Sequence, residues 1–170
     1  MARSDHLVDL VRTYAGPDAS VLEIGCNAGR NLRFLHEAGY RRLGAVEIST
    51  AALDHFQHAF PAAYRSTTLL NAPVEQAIPM MRDGAFDVVF TMAVLEHIHD
   101  DSAWVFEHIA RVTGRTLITI EDERQEGHRH FPRRYDRVFP AFGFREVARQ
   151  ANPPGLGRAF VTRVFERSAA

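Results

Sequence analysis

SVLEIGCNAGRNL, residues 20–32, combines three structural signals within one short segment. It begins with an apolar run typical of a buried strand, passes through a turn bounded by Gly25 and Gly29, and resumes with Leu32 at helical spacing. Small residues in such a turn let a ligand approach the backbone. The free N–H groups at the start of the helix attract a negatively charged group. The segment therefore predicts a strand, a ligand-binding turn and a helix.

The same order of signals recurs along the chain. The predicted strands span residues 20–24, 42–48, 66–70, 86–90, 116–120, 144–148 and 160–165. Helices are predicted at residues 49–61, 74–81, 102–112 and 133–142, with Pro61 ending the first, Asp101 capping the third, and an amphipathic N-terminal helix within residues 1–19. Strands alternating with helices indicate a parallel sheet, and the last two strands have only a turn between them. We therefore expect one α/β domain over residues 1–170, a doubly wound, mostly parallel seven-stranded sheet with a C-terminal antiparallel hairpin, of Rossmann-like type.

Charge and composition exclude several classes of protein. The 20 basic residues are all arginines and nearly balance 21 acidic ones, so the net charge is -1, which disfavours a nucleic-acid partner. Without lysine, neither a Schiff-base enzyme nor a Walker-type phosphate loop is feasible. The single cysteine, Cys26, excludes an intrachain disulfide and fits a cytoplasmic location. The most apolar stretch, residues 88–95, is far shorter than the ~20 residues of a membrane span, so no membrane segment is expected.

Glu47 adds a second ligand-binding signal. It ends the second predicted strand, at about the ~20-residue distance from the glycine turn where a carboxylate accepts hydrogen bonds from ribose hydroxyls. An adenosine-containing ligand is therefore expected. A nicotinamide-dependent oxidoreductase has the same kind of turn, but its G-x-G-x-x-G pattern is not met, because Asn27 stands between Gly25 and Gly29. That alternative stays open.

Five motifs carry a resemblance to a known family. They are VLEIGCNAG from residue 21, AVEIS from residue 45, FDVVFTMAVLEHI from residue 86, TLITIED from residue 116 and FGFREV from residue 142. Over residues 20–165 the chain resembles the class I S-adenosylmethionine-dependent methyltransferases. The resemblance implies S-adenosylmethionine as cofactor and methyl transfer to an oxygen or nitrogen of a small or medium-sized molecule. A non-catalytic S-adenosylmethionine-binding regulator or scaffold is the alternative.

The resemblance also implies which residues surround the cofactor, all of them near the ends of the first four strands. They are Glu23, Gly25, Cys26, Asn27 and Gly29 in the first loop, Glu47 and Ile48 after the second strand, Asn71 and Ala72 after the third, and Thr91 and Met92 at the fourth. Glu23 would order the loop and the methionine amino group, and Glu47 would hold the ribose. Asn27 departs from the glycine common in the family, but asparagine tolerates a positive φ.

His97 is the candidate catalytic residue. It follows the fourth strand, where the substrate should arrive, and a neutral imidazole can act as a base or orient the acceptor. Alternatively, the LEHI sequence belongs to the fold and His97 packs beside the cofactor. A metal site made of His97, His99, Asp100 and Asp101 is disfavoured, because ligands so close in sequence rarely converge, and no metal is predicted.

Residues 123–143 form the predicted substrate-side segment. The part that reads ERQEGHRHFPRRYDR, residues 123–137, is rich in arginine, and His130, Arg134 and Tyr135 are the predicted substrate contacts. A solvated, salt-bridged surface loop is the competing interpretation. Because no large insertion would cover the site, two arrangements are expected: an open pocket for a small-molecule or carrier-bound substrate, or a homodimer whose second subunit completes the pocket.

Overall fold

The architecture is the α/β sheet that the sequence predicts. A computed structural model describes residues 2–168. Its strands are β1 (Ser20–Ile24), β2 (Arg42–Glu47), β3 (Thr67–Asn71), β4 (Phe86–Met92), β5 (Thr113–Asp122), β6 (Phe144–Ala151) and β7 (Phe160–Arg167). Its α-helices are α1 (Ala2–Tyr14), α2 (Arg30–Glu37), α3 (Thr50–Ala59), α4 (Pro61–Ser66), α5 (Val74–Ala77), α6 (Val105–Val112) and α7 (Tyr135–Val138).

The strands form one seven-stranded sheet in the order β3-β2-β1-β4-β5-β7-β6. Strands β1 to β5 are parallel to one another, while β7 runs antiparallel to both β5 and β6. The expected doubly wound sheet with a C-terminal hairpin is thus confirmed. The chain moves outward in one direction from β1 through β2 to β3 and then crosses back to β4. This reversal places a crevice between the carboxyl ends of β1 and β4, where ligands of such sheets bind.

Hydrophobic cores cover both faces of the sheet. All five residues of β1 are buried, as expected of a strand packed on two sides. Adjacent strand residues point to opposite faces, so Leu22 and Val89 join one core while Val21 and Val88 join the other. These two layers hold the strand ends in fixed positions around the crevice.

Two of the expected helix boundaries near prolines are wrong. Pro61 does not end the 49–61 helix; α3 ends at Ala59, and Pro61 is the first residue of α4, where its missing N–H is not needed. The helix expected over residues 133–142 consists of the single turn α7 and a 3₁₀ turn, Phe139–Phe142. Pro140 has no N–H for a helical bond to residue 136, so the α-helix cannot continue.

Two other helices are also shorter than expected. The 74–81 helix is α5 followed by a 3₁₀ turn, Ile78–Met80, and Pro79 breaks it for the same reason. In place of a helix from residue 102, there is a 3₁₀ turn, Asp100–Ser102, and α6 begins only at Val105. The predicted Asp101 cap is wrong, because the His99 ring accepts the Asp101 N–H at 3.2 Å.

Two segments distant in sequence meet near the crevice. A Cβ added to Gly155, in the turn between β6 and β7, would lie 3.2 Å from the backbone nitrogen of Arg3 in α1. The N-terminal helix and the β6–β7 turn therefore border the same region of the molecule.

Within residues 2–168, no helix is long and apolar enough to cross a bilayer.

Candidate active site

A cavity of about 450 Å³ lies at the crevice between β1 and β4. Its walls come from the first loop, α2, the end of β4, helix α3 and the two bordering segments. The lining residues are Arg3, Glu23, Gly25, Cys26, Asn27, Ala28, Arg30, Asn31, His55, Phe60, Met92, Ala93 and Leu156. Of the predicted cofactor contacts, Glu23, Gly25, Cys26, Asn27 and Met92 are thus brought together in one cavity.

The first loop takes a backbone conformation that its sequence permits. Gly25 and Gly29 have φ values of 72° and 70°, and Asn27 has a φ of 48°. This agrees with the expectation that asparagine replaces glycine here without losing the positive φ. A Cβ on Gly29 would lie only 2.1 Å from the ring of the fully buried Phe56, so this position needs glycine for two separate reasons.

Glu47 fixes the loop through both of its carboxylate oxygens. Its Oε2 accepts the backbone N–H of Asn27 at 2.7 Å, and its Oε1 accepts the N–H of Ser49 at 2.8 Å. The side chain is buried and joins the end of β2 to the glycine loop. Each carboxylate oxygen has a second lone pair, so the contact with a ribose hydroxyl stays a prediction that this geometry permits.

Glu23 provides the test of whether the cavity fits the implied cofactor. Its Oε1 accepts the Asn31 side-chain N–H at 2.8 Å, while its Oε2 is buried without a partner among the described residues. Burial raises the pKa of Glu23 to about 8. A buried carboxylate oxygen that lines a cavity and lacks a partner favours a cationic ligand group. The methionine amino group of S-adenosylmethionine is such a group, so the residues fit the cofactor.

The residues predicted around the adenine lie at the ends of β2 and β3. The Ile48 side chain is 67% exposed, so its apolar surface is free to lie against a flat ring. The Asn71 amide donates to the carbonyl oxygens of Glu47 and Ile48 at 2.8 and 3.2 Å, and its Oδ1 accepts the Thr50 hydroxyl. Asn71 therefore ties β3 to β2, and Ala72 beside it is half-buried. Their contacts with adenine stay predictions.

One predicted contact at the fourth strand requires a correction. Met92 lines the cavity as expected, but the Thr91 side chain is fully buried beside Glu121 and presents no surface to a ligand. Alternate strand residues face opposite sides, so Thr91 and Met92 cannot both face the cavity.

Cys26 is also buried, and burial raises the pKa of its thiol well above the usual range, so it is a packing residue rather than a nucleophile.

A pair of buried acids, of which Glu121 had not been predicted from the sequence, shapes the segment after β4. Glu121, at the end of β5, accepts the backbone N–H groups of Val94 and Leu95 at 2.8 and 3.0 Å. Burial raises the pKa of Glu121 to about 8, and burial also raises the pKa of Glu96. The available signal was the acidic end of TLITIED, since a carboxylate inside an apolar strand must have partners.

His97 lies where a second cavity, of about 550 Å³, opens beside the 3₁₀ turn Leu95–His97. This cavity is lined by His97, His128, Arg129, His130 and Phe131. The Nδ1 of His97 bonds the Arg129 carbonyl oxygen at 2.9 Å, and its side chain is 47% exposed. The predicted catalytic residue and the predicted contact His130 are therefore neighbours, with ring centroids 4.8 Å apart.

The two other predicted substrate contacts turn out differently. Tyr135 is wrong as a contact, because its ring is fully buried against Phe106 and Phe139. Arg134 is exposed, but its guanidinium already pairs with both carboxylate oxygens of Asp136, at 2.9 and 2.6 Å. Its contact with a substrate stays a prediction and would compete with this ion pair.

Several cavity residues had not been predicted from the sequence. Asn31 links α1 to the sheet, because it accepts the Ser4 hydroxyl at 2.8 Å and donates to Glu23. A polar residue on the buried face of α2 was a usable signal for it. Arg3 and Leu156 reach the cavity from segments far away in sequence, and no local pattern indicates them.

These features define a nucleotide-type cofactor site on a doubly wound sheet, and comparison with known proteins identifies the family. A model of the methyltransferase domain matches residues 22–116. The chain therefore belongs to this family, the class I S-adenosylmethionine-dependent methyltransferases, and its cofactor is S-adenosylmethionine.

Individual relatives are more distant. The tRNA U34 carboxymethyltransferase of Shewanella sp. (strain W3-18-1) is 31% identical over 99 residues, which cover 56% of this chain and 29% of that protein. This chain thus spans less than a third of the length of that relative.

Two solved structures share the fold. Magnesium protoporphyrin IX methyltransferase from Synechocystis PCC 6803, with bound S-adenosylmethionine, has a TM-score of 0.75 at 19% identity, covering 97% of this chain and 78% of that one. The 1,6-didemethyltoxoflavin-N1-methyltransferase of Burkholderia thailandensis has a TM-score of 0.75 at 16% identity, covering 98% and 77%.

Proposed function

We propose that this protein transfers the methyl group of S-adenosylmethionine to an oxygen or nitrogen of a small or medium-sized, free or carrier-bound molecule. The observation that carries the proposal is Glu23, which lines the cavity between β1 and β4 and whose Oε2 is buried without a partner among the described residues. One oxygen of this buried acid accepts the Asn31 N–H, which leaves the other for a cationic ligand group, and the cofactor supplies one.

The cofactor supplies an activated methyl group on a sulfonium, and the chain supplies its position. Glu23 would pair with the methionine amino group, and Glu47, which already orders the loop at Asn27, would accept the ribose hydroxyls. Because the donor is already activated, holding donor and acceptor in line can supply most of the rate acceleration.

His97 is the residue proposed to act on the acceptor. Its Nδ1 is held by the Arg129 carbonyl, which accepts but cannot donate, so the Nδ1 carries the proton and the Nε2 of the neutral ring carries a lone pair. That Nε2 borders the second cavity, near Glu96 and His130. From this position it could accept a proton from an acceptor hydroxyl or amine, or orient the acceptor.

A nucleic-acid acceptor is the competing substrate class, since the Shewanella relative is named for a tRNA. The net charge of -1 argues against it, because binding to nucleic acid depends on a surplus of cationic side chains. We therefore favour a small-molecule or carrier-bound acceptor. The acceptor pocket is either open or completed by the second subunit of a homodimer, and light scattering of the purified protein distinguishes the two arrangements.

Calorimetric titration of S-adenosylmethionine and S-adenosylhomocysteine tests the cofactor site, and formation of S-adenosylhomocysteine in the presence of hydroxyl- and amine-bearing acceptors tests the reaction. Binding together with acceptor-dependent turnover supports the proposal. Binding without turnover on any acceptor class would favour the non-catalytic alternative, and turnover only with tRNA would overturn the proposed substrate class. Absence of binding would reject the site itself.

A further inference from the structure

Three side chains that can ligate a metal converge at the second cavity. One nitrogen or oxygen atom from each of Glu96, His97 and His130 lies within 4.8 Å of the other two. The Nε2 of His97 is 3.7 Å from Oε1 of Glu96. Glu96 is buried, whereas both imidazoles line the cavity. The cluster thus has a fixed buried carboxylate and two nitrogen donors open to a ligand.

Backbone contacts hold the two parts of the cluster together. Glu96 and His97 follow β4, and His130 comes from the segment after β5. The Phe131 N–H donates to the Glu96 carbonyl at 2.7 Å, and the Arg129 carbonyl accepts from the His97 ring at 2.9 Å. The residues on both sides of His130 are therefore hydrogen-bonded to Glu96 and His97. The fold itself keeps the three side chains of the cluster close together.

The hydrogen bond to Arg129 also determines which His97 nitrogen is free. With the proton on Nδ1, the Nε2 of the neutral ring presents a lone pair toward the Glu96 carboxylate. Two acceptors facing each other at 3.7 Å do not bond, but a cation between them would satisfy both. Ligating histidines in proteins almost always donate their other N–H to a carbonyl or carboxylate, as His97 does.

The distances fit such an ion. Bonds of about 2.0–2.2 Å at tetrahedral or octahedral angles place neighbouring ligand atoms about 3.0–3.5 Å apart. The His97–Glu96 separation of 3.7 Å is close to this range. The imidazole of His130 is only half-buried at the cavity wall, so rotation about its side-chain bonds would close the remaining gap.

We propose that Glu96, His97 and His130 bind a first-row divalent transition-metal ion, such as Zn²⁺, Mn²⁺ or Co²⁺. Two imidazoles and one carboxylate suit these ions, whereas Mg²⁺ and Ca²⁺ prefer oxygen ligands. The sequence had predicted no metal, and the set disfavoured there, His97, His99, Asp100 and Asp101, shares only His97 with this cluster.

Three protein ligands leave coordination positions open toward the cavity. Insofar as the proposed function holds, those positions would take an oxygen of the methyl acceptor, and its class would be a hydroxyl- or carboxylate-bearing molecule. His97 would then orient the acceptor through the ion rather than accept a proton from it. The binding of the ion itself does not depend on methyl transfer.

The test is a Co²⁺ titration of the chelator-treated, tag-free full chain, followed by visible absorption, with Zn²⁺ competition and Mg²⁺ as the control ion. We expect one Co²⁺ per chain, displaced by Zn²⁺ but not by millimolar Mg²⁺. His97→Ala and His130→Ala should each weaken Co²⁺ binding by about 30-fold or more, while His99→Ala, in the same segment, stays within about twofold of wild type.

S-adenosylmethionine binding by each variant, measured by calorimetry, controls for folding, because the first cavity is lined by other residues. No saturable Co²⁺ spectrum, or a loss in His99→Ala as large as in His97→Ala, would overturn the metal site. Metal binding without S-adenosylmethionine binding would overturn the proposed function alone. S-adenosylmethionine binding without metal binding would overturn the metal site alone.

Discussion

The Glu47 carboxylate holds the backbone N–H of Asn27 at 2.7 Å, so the acid that would bind the ribose also shapes the loop around the cofactor. A carboxylate fixed before the ligand arrives loses little conformational entropy on binding. This relationship explains how the loop keeps its conformation although glycine is replaced by asparagine at residue 27.

Glu47→Ala should weaken S-adenosylmethionine binding by ~1.5–3 kcal/mol, the value of a charge-assisted hydrogen bond. Asn27→Gly, which keeps both the positive φ and the N–H, should bind within about threefold of wild type. Glu107→Ala, on the exposed side of α6, is the control for loss of a glutamate elsewhere. Calorimetry measures all three. Equal losses of S-adenosylmethionine affinity in Glu47→Ala and Asn27→Gly would contradict a specific role for the Glu47 carboxylate in cofactor binding.

Glu23 should make cofactor binding depend on pH. Because burial raises its pKa to about 8, the free protein holds a proton on Glu23 below that pH, and the proton must leave before the cofactor amino group can pair with it. Above pH 8 the amino group, with a pKa of about 7.7–8.0, loses its own charge. Affinity should therefore peak near pH 8 and be about 20-fold weaker at pH 6, where binding releases about one proton.

Calorimetry in two buffers of different ionisation enthalpy measures directly how many protons are released when S-adenosylmethionine binds. Glu23→Gln keeps an acceptor for the Asn31 N–H, so it is the matched control. Glu23→Gln should bind S-adenosylmethionine more weakly than wild type at pH 8. Below pH 8 its affinity should no longer depend on pH. A wild-type affinity that is flat from pH 6 to pH 8 would show that Glu23 does not pair with the cofactor.

Much of the fold was predictable because its signals are local. The apolar run of residues 20–24 and the glycine turn after it specify a buried strand and a loop without help from the rest of the chain. Helix lengths were less predictable near Pro140 and Pro79, where the missing N–H converts the helix end to a 3₁₀ turn. Propensity alone does not say whether a proline begins or ends a helix.

The site was predictable only where its residues follow strand ends. Glu47 could be placed because it ends a strand and the carboxyl ends of parallel strands meet at one edge, whereas Glu23 was placed only through the family resemblance of its motif. Tyr135 could not, since an aromatic residue among arginines resembles a surface residue until the core that buries it is known. The convergence of His130 on Glu96 depends on a backbone bond between distant segments, and no local pattern encodes it.

Gly29 should tolerate no side chain. In Gly29→Ala the Cβ would lie 2.1 Å from the Phe56 ring, which is fully buried and cannot move away. Overpacking of this kind costs ~1–3 kcal/mol, and a non-glycine residue at positive φ costs ~1–2 kcal/mol more. We expect Gly29→Ala to lose ~2–5 kcal/mol of unfolding free energy in urea denaturation.

Gly143→Ala separates the two contributions, because Gly143 has a similar φ of 82° but open space around its Cβ position. Gly143→Ala should lose only the ~1–2 kcal/mol of unfolding free energy that a non-glycine residue at positive φ costs. Adding Phe56→Leu to Gly29→Ala should recover part of the packing loss. If Gly29→Ala and Gly143→Ala are equally stable, contact with Phe56 is not what requires glycine at residue 29.

Arg163 should be far more important for stability than Arg134, although both belong to one ion-pair network. Arg163 is fully buried, and its guanidinium contacts Glu123 at 2.6 and 2.8 Å and Glu146 at 2.5 Å. Arg163→Leu leaves the buried Glu123 carboxylate without its cation, which typically costs ~3–5 kcal/mol. Arg134 is exposed, pairs closely with Asp136 and reaches Glu123 only at 4.0 Å, so Arg134→Ala should leave the urea midpoint nearly unchanged.

The double variant Arg163→Leu/Glu123→Leu distinguishes loss of charge pairing from loss of packing. Replacing a buried pair with apolar residues removes the unpaired charge, so the double variant should be more stable than Arg163→Leu alone. Urea denaturation of the four proteins in the cycle measures the coupling between the two side chains. A double variant less stable than Arg163→Leu would mean that Glu123 is stabilised by groups other than Arg163.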